Sequence, residues 1–250
     1  SSWIRKLDPN KRPITTHYSA TFAAIDTDLA KSKHLDYIVG DAYRSDSDIV
    51  ELLVKSDRFA EKDQMNFGKP YFITEFGGTP FGNSIPSLHA DLHAGLWTTY
   101  MTDMAGSPLF WWFDLIERED WYYHFRALAN FDAGEDRIRN PMRKLASFCP
   151  EKTSALRSMA YGSEDRGYAW VYAISMLRGF DEVPAGLVKN ASVAIMPLTE
   201  GDFDFEIWDT YSGKIVERGT ATVADRLGRL IIPLPDFSGD VALKYSRKKK

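Results

Sequence analysis

Apolar positions repeat along this chain with two different periods, and the change falls near residue 150. Before that point, short apolar runs alternate with stretches in which apolar residues recur every three to four positions, which predicts parallel strands joined by helices. After it, apolar and polar residues alternate one by one between glycine-containing turns, which predicts antiparallel strands. The predicted fold class is therefore α/β followed by all-β.

The first part of the chain predicts about four β/α units. Strand patterns cover residues 13–18, 37–43, 71–76 and 109–114. Helical patterns lie between and after them, at residues 47–66, 87–105 and 120–130. Asp46 or Asp48 is a suitable N-cap for the first of these helices. These units place the first domain at residues 1–147.

The second part predicts a small antiparallel β-sandwich at residues 148–250. Tyr168, Trp170 and Tyr172 alternate with small residues, and residues 209–213 have the composition of a hairpin turn. Two interpretations of Trp170 and Trp208 stay open: a carbohydrate-binding platform, or burial between the sheets of the sandwich.

Composition narrows the classes of protein to consider. Of 250 residues, 44% are hydrophobic, which is enough to bury a large core. The net charge of −4 argues against a nucleic-acid partner, because such partners need a broad basic surface. No apolar run approaches the roughly 20 residues of a membrane span, so no membrane partner is expected. The first residues lack a signal-peptide pattern and predict the middle of a helix, so we expect the chain to start inside a larger protein.

Glu75 is the most informative single residue. It lies at the end of the apolar strand 71–76 and is followed by Gly77 and Gly78. The carboxyl ends of strands are where α/β barrels place their catalytic groups. The alternative is that Glu75 caps the following turn or pairs with an arginine.

Several segments carry a family resemblance. KPYFITEFGG (69–78), HADLHAGLWTTYMTDMAGSPLFWWFDLI (89–116) and YYHFRALANF (122–131) resemble the second half of the (β/α)8 barrel of clan A glycoside hydrolases, closest to family 5-like enzymes. The segments 201–219 and 234–245 resemble the small β-sandwich that follows such barrels. Half a barrel exposes two unpaired sheet edges, so the N-terminal half, as a separate chain, is a possible partner.

The resemblance implies a retaining mechanism with Glu75 as nucleophile. Retaining hydrolysis uses two carboxyl groups about 5 to 5.5 Å apart, one attacking the sugar and one protonating the leaving oxygen. In the resembled clan, the acid is a glutamate that follows an asparagine, and this chain contains no Asn-Glu dipeptide. We therefore expect the acid/base upstream of Ser1.

The resemblance also suggests residues that bind the sugar. Tyr43 matches a tyrosine that holds the nucleophile, although it can equally pack at the barrel rim, and Asp41 takes its place if the strand register differs. His17 and Tyr18 end the first strand and are candidates for contacts with sugar hydroxyls, or for structural hydrogen bonds. Trp112, or Trp111 if the register differs by one, matches the aromatic floor beneath the sugar. These are followed by Asp114, which either holds a sugar hydroxyl or caps the next loop.

Other motifs give little support for a different chemistry. His89 and His93 have a spacing that can bind a metal ion, but no third ligand is evident, and packing on the barrel is the simpler interpretation. No phosphate-binding loop or serine-hydrolase motif is present. We expect neither a metal nor a cofactor.

The sequence therefore predicts a retaining glycoside hydrolase that cleaves β-linked glycans, with a carbohydrate as its substrate. The resemblance implies that it is secreted or periplasmic. The alternative is a non-catalytic carbohydrate-binding or scaffold fragment.

Overall fold

The computed structural model describes residues 2–19, 25–44, 48–61, 68–79, 83–152, 154–177 and 186–248, and it is mostly sheet with few helices. The chain divides into two compact units. The first unit comprises Ser1–Asn83 and Ala94–Phe113, and the second comprises Ser84–His93 and Asp114–Lys250. The domain boundary after residue 147 stays a prediction.

The first unit is built around a parallel pair of strands. Its elements are α1 (Ser2–Leu7), α2 (Thr27–Lys31), β1 (Ile38–Ala42), α3 (Ile49–Glu61), β2 (Tyr71–Phe76) and the part of α4 (Ile85–Tyr100) from Ala94 onward. Strands β1 and β2 pair in parallel, and Phe110 adds a single parallel bridge to Phe76. The strand predicted at residues 71–76 is observed with those bounds.

Local sequence explains how these elements begin and pack. The Asp48 carboxylate accepts a hydrogen bond from the Glu51 backbone N–H (2.8 Å), as expected of an N-cap for α3; Asp46 lies outside the described residues. Helix α4 approaches β2 at Gly95, where a side chain would collide with the ring of Phe76. Phe76 is fully buried there.

Two predicted strands of this unit differ from the structure. Residues 13–18 run beside β1 without a strand ladder. Their contacts come largely from side chains, because the Ile14 N–H donates to the Asp36 carboxylate (2.7 Å) and the Thr15 hydroxyl donates to the Tyr37 carbonyl (2.7 Å). The strand over residues 109–114 was also wrong. It is reduced to the bridge at Phe110, and helix α5 begins at Phe113.

The second unit contains a large antiparallel sheet. Its helices are the part of α4 up to His93, α5 (Phe113–Arg118), which begins at the boundary, and α6 (Tyr122–Asp132). Its strands are β3 (Arg143–Phe148), β4 (Leu156–Gly162), β5 (Arg166–Ala173), β6 (Leu187–Val188), β7 (Ala191–Met196), β8 (Gly201–Asp209), β9 (Lys214–Val223), β10 (Leu230–Leu234), β11 (Phe237–Ser238) and β12 (Asp240–Arg247). Eight of them form one nearly closed, barrel-like sheet in the order β10-β7-β3-β4-β5-β12-β8-β9.

Alternation along the strands of this sheet separates two environments. One face supplies the apolar core, with Val171, Ile207 and Leu243 among its fully buried members. The Trp170 side chain is also fully buried, so it does not form an exposed platform for sugar. The predicted hairpin is present: β8 and β9 are joined by a turn in which the Gly213 N–H donates to the Asp209 carbonyl (2.9 Å).

The parallel and antiparallel regions follow the order predicted along the chain. The finer architectures, half of a (β/α)8 barrel and a two-sheet sandwich, are not confirmed by these elements. Among the residues described, none of the helices has the length and apolar character required to cross a membrane.

Candidate functional site

A cluster of polar side chains lies at the carboxyl ends of β1 and β2. The two strands are in regular register from Ile38 to Gly40, and a bulge between Gly40 and Asp41 then sets Asp41 opposite Glu75. Without that irregularity, the two carboxylates would not be direct cross-strand neighbours. The bulge therefore brings together two acidic side chains that the sequence pattern assigned to separate positions.

His17 joins these carboxylates from the segment that precedes β1. Its Nε2 atom lies 2.9 Å from Asp41 Oδ1 and 3.6 Å from Glu75 Oε1. One ligand atom from each of the three side chains falls within 4.8 Å of the others. Asp41 is 3% exposed, whereas the side chains of Glu75 and His17 are 23% and 42% exposed. Only the latter two are therefore open to a solute.

Tyr43 completes the cluster. Its hydroxyl donates a hydrogen bond to Glu75 Oε2 (2.8 Å), which is the contact expected of this residue. Burial raises the pKa of Tyr43 well above its ordinary value, and the hydrogen bond to Glu75 and the negative charge of that residue raise it further. The phenol therefore stays protonated and serves as a donor at any pH the protein would meet.

The pKa of the Asp41 carboxyl is also raised. The main cause is desolvation by burial, and the charge of Glu75 adds to it, while the hydrogen bond from His17 acts in the opposite direction. Asp41 is thus a buried acid beside a second carboxylate. This arrangement is unfavourable for two negative charges unless a cation or proton is shared between them.

A glycine turn follows Glu75 and holds Trp112. Gly77 and Gly78 have φ angles of 109° and 69°, which favour glycine, and a side chain at Gly77 would collide with the ring of Phe110. The Trp112 indole N–H donates to the Gly77 carbonyl (2.9 Å), so Trp112 is anchored to the turn next to Glu75. Trp111, its neighbour, is 46% exposed.

Two predicted sugar-binding residues lie in other surroundings. Burial raises the pKa of Tyr18, and its hydroxyl oxygen is shielded from solvent. Asp114 lies in the first turn of α5 and is exposed. The structure brings His17, Tyr43 and Glu75 together and shows no such contact for these two among the described residues; their sugar-binding roles stay predictions.

His89 and His93 belong to a separate network in the second unit. His93 Nδ1 lies 2.9 Å from His124 Nδ1, and His124 Nε2 lies 2.9 Å from His89 Nε2. His93 Nε2 lies 2.9 Å from the buried Asp240 carboxylate, which also accepts hydrogen bonds from Trp170 and Thr210. These nitrogens are engaged with one another and with Asp240 in a buried network, which favours the packing interpretation over a metal site.

Sequence analysis offered Asp41 only as an alternative to Tyr43 and missed that it joins His17 and Glu75 in the cluster. The available signal was an acidic residue inside an otherwise apolar, fully buried strand, because a buried carboxylate needs a partner. The bulge that points Asp41 at Glu75 has no comparable signal. Asp240 was missed as well, since its partner His93 is 147 residues away in sequence.

Comparisons with known proteins give structural matches only. No protein-family model and no curated protein matches the chain. A glycoside hydrolase family 5 structure from Bacteroides vulgatus is similar, with a TM-score of 0.59, 13% identity, and coverage of 98% of this chain and 57% of its own. A second solved structure, described as a glycoside hydrolase, has a TM-score of 0.57, 12% identity, and coverage of 88% and 54%.

The chain therefore spans less than two thirds of the length of the structures it matches. At these identities, the likeness shows a shared fold. Both of these solved structures are described as glycoside hydrolases.

Proposed function

We propose that this chain supplies the nucleophile of a retaining glycoside hydrolase that cleaves β-linked glycans, with Glu75 as that nucleophile. The observation that carries the proposal is the hydrogen bond from Tyr43 to Glu75 Oε2 at a strand end where the Glu75 side chain stays partly open to solvent. A hydroxyl that donates to one carboxylate oxygen orients the other oxygen for attack. The fold shared with solved glycoside hydrolases supports this assignment.

In the proposed reaction, a Glu75 oxygen attacks the anomeric carbon of the bound sugar. The bond from that carbon to the leaving oxygen breaks, the electron pair departs with the oxygen, and a general acid protonates it. In the second step the deprotonated acid takes a proton from water, the water oxygen attacks the anomeric carbon, and the bond to Glu75 breaks with its electron pair returning to the carboxylate. Trp112, held by the Gly77 carbonyl, is the proposed aromatic surface beneath the sugar.

The general acid is a residue other than Asp41. Although Asp41 is close to Glu75, it is nearly inaccessible and is hydrogen-bonded to His17, so it cannot reach a glycosidic oxygen. We propose that the acid is supplied by the N-terminal half of the same (β/α)8 barrel, whose second half is residues 1–147, and that residues 148–250 are the accessory β-sandwich. A secreted or periplasmic location fits a polysaccharide substrate.

The test uses a reagent that does not need the acid. A 2,4-dinitrophenyl 2-deoxy-2-fluoro-β-glycoside carries a leaving group that departs without protonation, and its fluorine slows hydrolysis of the covalent intermediate. We expect one member of a panel with gluco, manno, xylo and galacto configurations to add one sugar to the peptide that contains Glu75. Intact-mass and peptide-mass measurements follow the reaction.

Matched variants separate attack by Glu75 from nonspecific labelling. Glu75→Gln should lower the labelling rate by about 10³-fold or more, as expected for loss of a nucleophile. Glu51→Gln, on the surface of α3, should label at the normal rate. Label on a different carboxylate would remove Glu75 from this role. Binding of glycans without any label would instead favour the non-catalytic carbohydrate-binding alternative, which the exposed Trp111 would serve.

A further inference from the structure

The cluster around Glu75 also has the composition of a metal site. His17 Nε2, Asp41 Oδ1 and Glu75 Oε1 converge from three separate segments, and each is an atom type that binds zinc. These three form the group of metal-ligating side chains found within the described part of the chain. Neither the sequence pattern nor the proposed glycosidase chemistry requires a metal here.

The spacing of the three atoms fits four-coordinate zinc. With zinc–ligand distances of about 2.0 to 2.2 Å, the edges of a tetrahedron are about 3.3 to 3.6 Å long. The separation from His17 Nε2 to Asp41 Oδ1 is 2.9 Å, shorter than such an edge, and that to Glu75 Oε1 is 3.6 Å, at its upper end; all three separations are within 4.8 Å. Small side-chain movements would therefore form the site, and the exposed edge of His17 and Glu75 leaves the fourth position to water.

The surroundings of the carboxylates support the same conclusion. The Tyr43 hydroxyl occupies Glu75 Oε2, which leaves Oε1 as the free oxygen facing His17. Hydrogen bonds of this kind orient carboxylates that bind metals. The carboxylates of Asp41 and Glu75 face the single imidazole of His17, and Asp41 is almost fully buried. A divalent cation would therefore balance negative charge that His17 alone does not balance.

The ligand set selects among cations. Calcium and magnesium prefer six or more oxygen ligands and do not favour imidazole, whereas one nitrogen and two carboxylates suit zinc. We propose that His17, Asp41 and Glu75 form a zinc-binding site. Its regulatory consequence, which rests on the proposed function, is that bound zinc occupies Glu75 Oε1 and prevents attack on the sugar.

Zinc binding can be measured on the chain after treatment with a chelator. Isothermal titration with zinc at pH 7.5 should show one equivalent bound, and cobalt should give the intense visible absorption of a four-coordinate site. His17→Gln and Asp41→Asn should each weaken binding by about tenfold or more, the lower end expected even for groups that only support a metal ligand. Circular dichroism and thermal unfolding report whether each variant is folded.

Two histidine variants serve as controls. His34→Gln changes a histidine of the first unit outside the cluster, and His89→Gln changes the rim of the second network. Both should bind zinc like the parent chain. No binding at millimolar zinc, normal binding by folded His17→Gln and Asp41→Asn, or loss of binding only in His89→Gln would overturn the proposal.

The outcomes also separate this inference from the proposed function. Zinc binding without fluoroglycoside labelling in chelator would leave the metal site standing and remove the glycosidase. Labelling in chelator without zinc binding would do the reverse. If both occur, zinc should slow labelling of Glu75 by the fraction of sites it occupies, and a chelator should restore the rate. Labelling that is unaffected by bound zinc would show that the metal does not reach Glu75 Oε1.

Discussion

Two groups in this protein combine histidine with a carboxylate and an aromatic hydroxyl, one in each unit. In the first unit, a single half-exposed His17 faces the two carboxylates Asp41 and Glu75. In the second, three histidines lead to one buried carboxylate, Asp240. The residue types are nearly the same, but carboxylates outnumber histidines in the first group and histidines outnumber carboxylates in the second.

Burial and satisfaction of hydrogen bonds account for the difference in role. Asp240 accepts hydrogen bonds from His93, Trp170 and Thr210 and has no exposed surface, so its charge is compensated inside the protein. The Glu75 side chain is partly open to solvent and lies beside Asp41, an acid with a raised pKa. Uncompensated, accessible charge can act on a ligand, whereas compensated, buried charge holds a structure together.

The largest expected effect is on the compensated group. Asp240→Asn removes the buried negative charge that accepts from His93 and Trp170, and its amide N–H₂ fits only against the Thr210 hydroxyl, which must then accept a hydrogen bond instead of donating one. We expect the second unit to lose about 3 kcal/mol of stability. Hydrogen exchange of peptides from β5 and β12 measures it. Asp236→Asn, at an exposed position, should change exchange very little, and an equally small effect for Asp240→Asn would contradict the structural role.

Low pH should also destabilise the second unit through its histidine network. Burial lowers the pKa of His89 to about 4 and of His124 to about 2, with smaller effects from the neighbouring histidines. Since an unfolded histidine has a pKa of about 6.5, the unfolded state binds protons first as pH falls. The stabilisation is therefore complete above pH 6.5 and is lost below it, by about 1 to 2 kcal/mol per histidine at pH 5.

The pH dependence can be assigned with one variant. Urea unfolding of the second unit, followed by hydrogen exchange between pH 7.5 and 5, should show a shallower loss of stability in His89→Gln than in the parent chain. His34→Gln is the matched control and should keep the parent slope. Parallel curves for His89→Gln and the parent would show that His89 is not a neutral buried base.

A smaller effect is expected at the accessible cluster when its donor is removed. Tyr43→Phe deletes the hydroxyl that donates to Glu75, and a hydrogen bond to a charged group contributes about 1.5 to 3 kcal/mol. Because Glu75 can turn to water, we expect less than that in stability, about 1 kcal/mol, and roughly tenfold slower fluoroglycoside labelling. Tyr37→Phe, whose ring packs on Phe72, should label normally. Equal rates for the two variants would remove Tyr43 from the site's chemistry.

The smallest expected change separates the two aspartates directly. Asp41→Asn keeps an acceptor for His17 and replaces a buried carboxyl whose pKa is already raised. The stability of the first unit should therefore change by less than about 1 kcal/mol at pH 7. Hydrogen exchange of peptides from β1 measures this change in stability. A loss as large as that expected for Asp240→Asn would mean that Asp41 is a compensated structural acid like its counterpart.

Some of this site could be predicted from local sequence. The apolar run that ends in Glu75 gave β2 with its observed bounds, and the two glycines that follow have the positive φ angles that favour glycine. The Tyr43 contact was expected from a family resemblance, and the hydrogen bond is present. In contrast, residues 109–114 have a strand pattern, yet only Phe110 makes a bridge, because α5 begins at Phe113.

The sequence by itself determined the change from parallel to antiparallel strands, the strand end that carries Glu75 and the hairpin after β8, since each depends on residues a few positions apart. Only the tertiary structure decided that a bulge turns Asp41 toward Glu75 and that His17 bridges them. It also decided that His93 meets Asp240 across 147 residues. Hydrophobic periodicity depends on residues that are close together in sequence. Strand register, burial depth and charge compensation depend instead on which distant segments pack together.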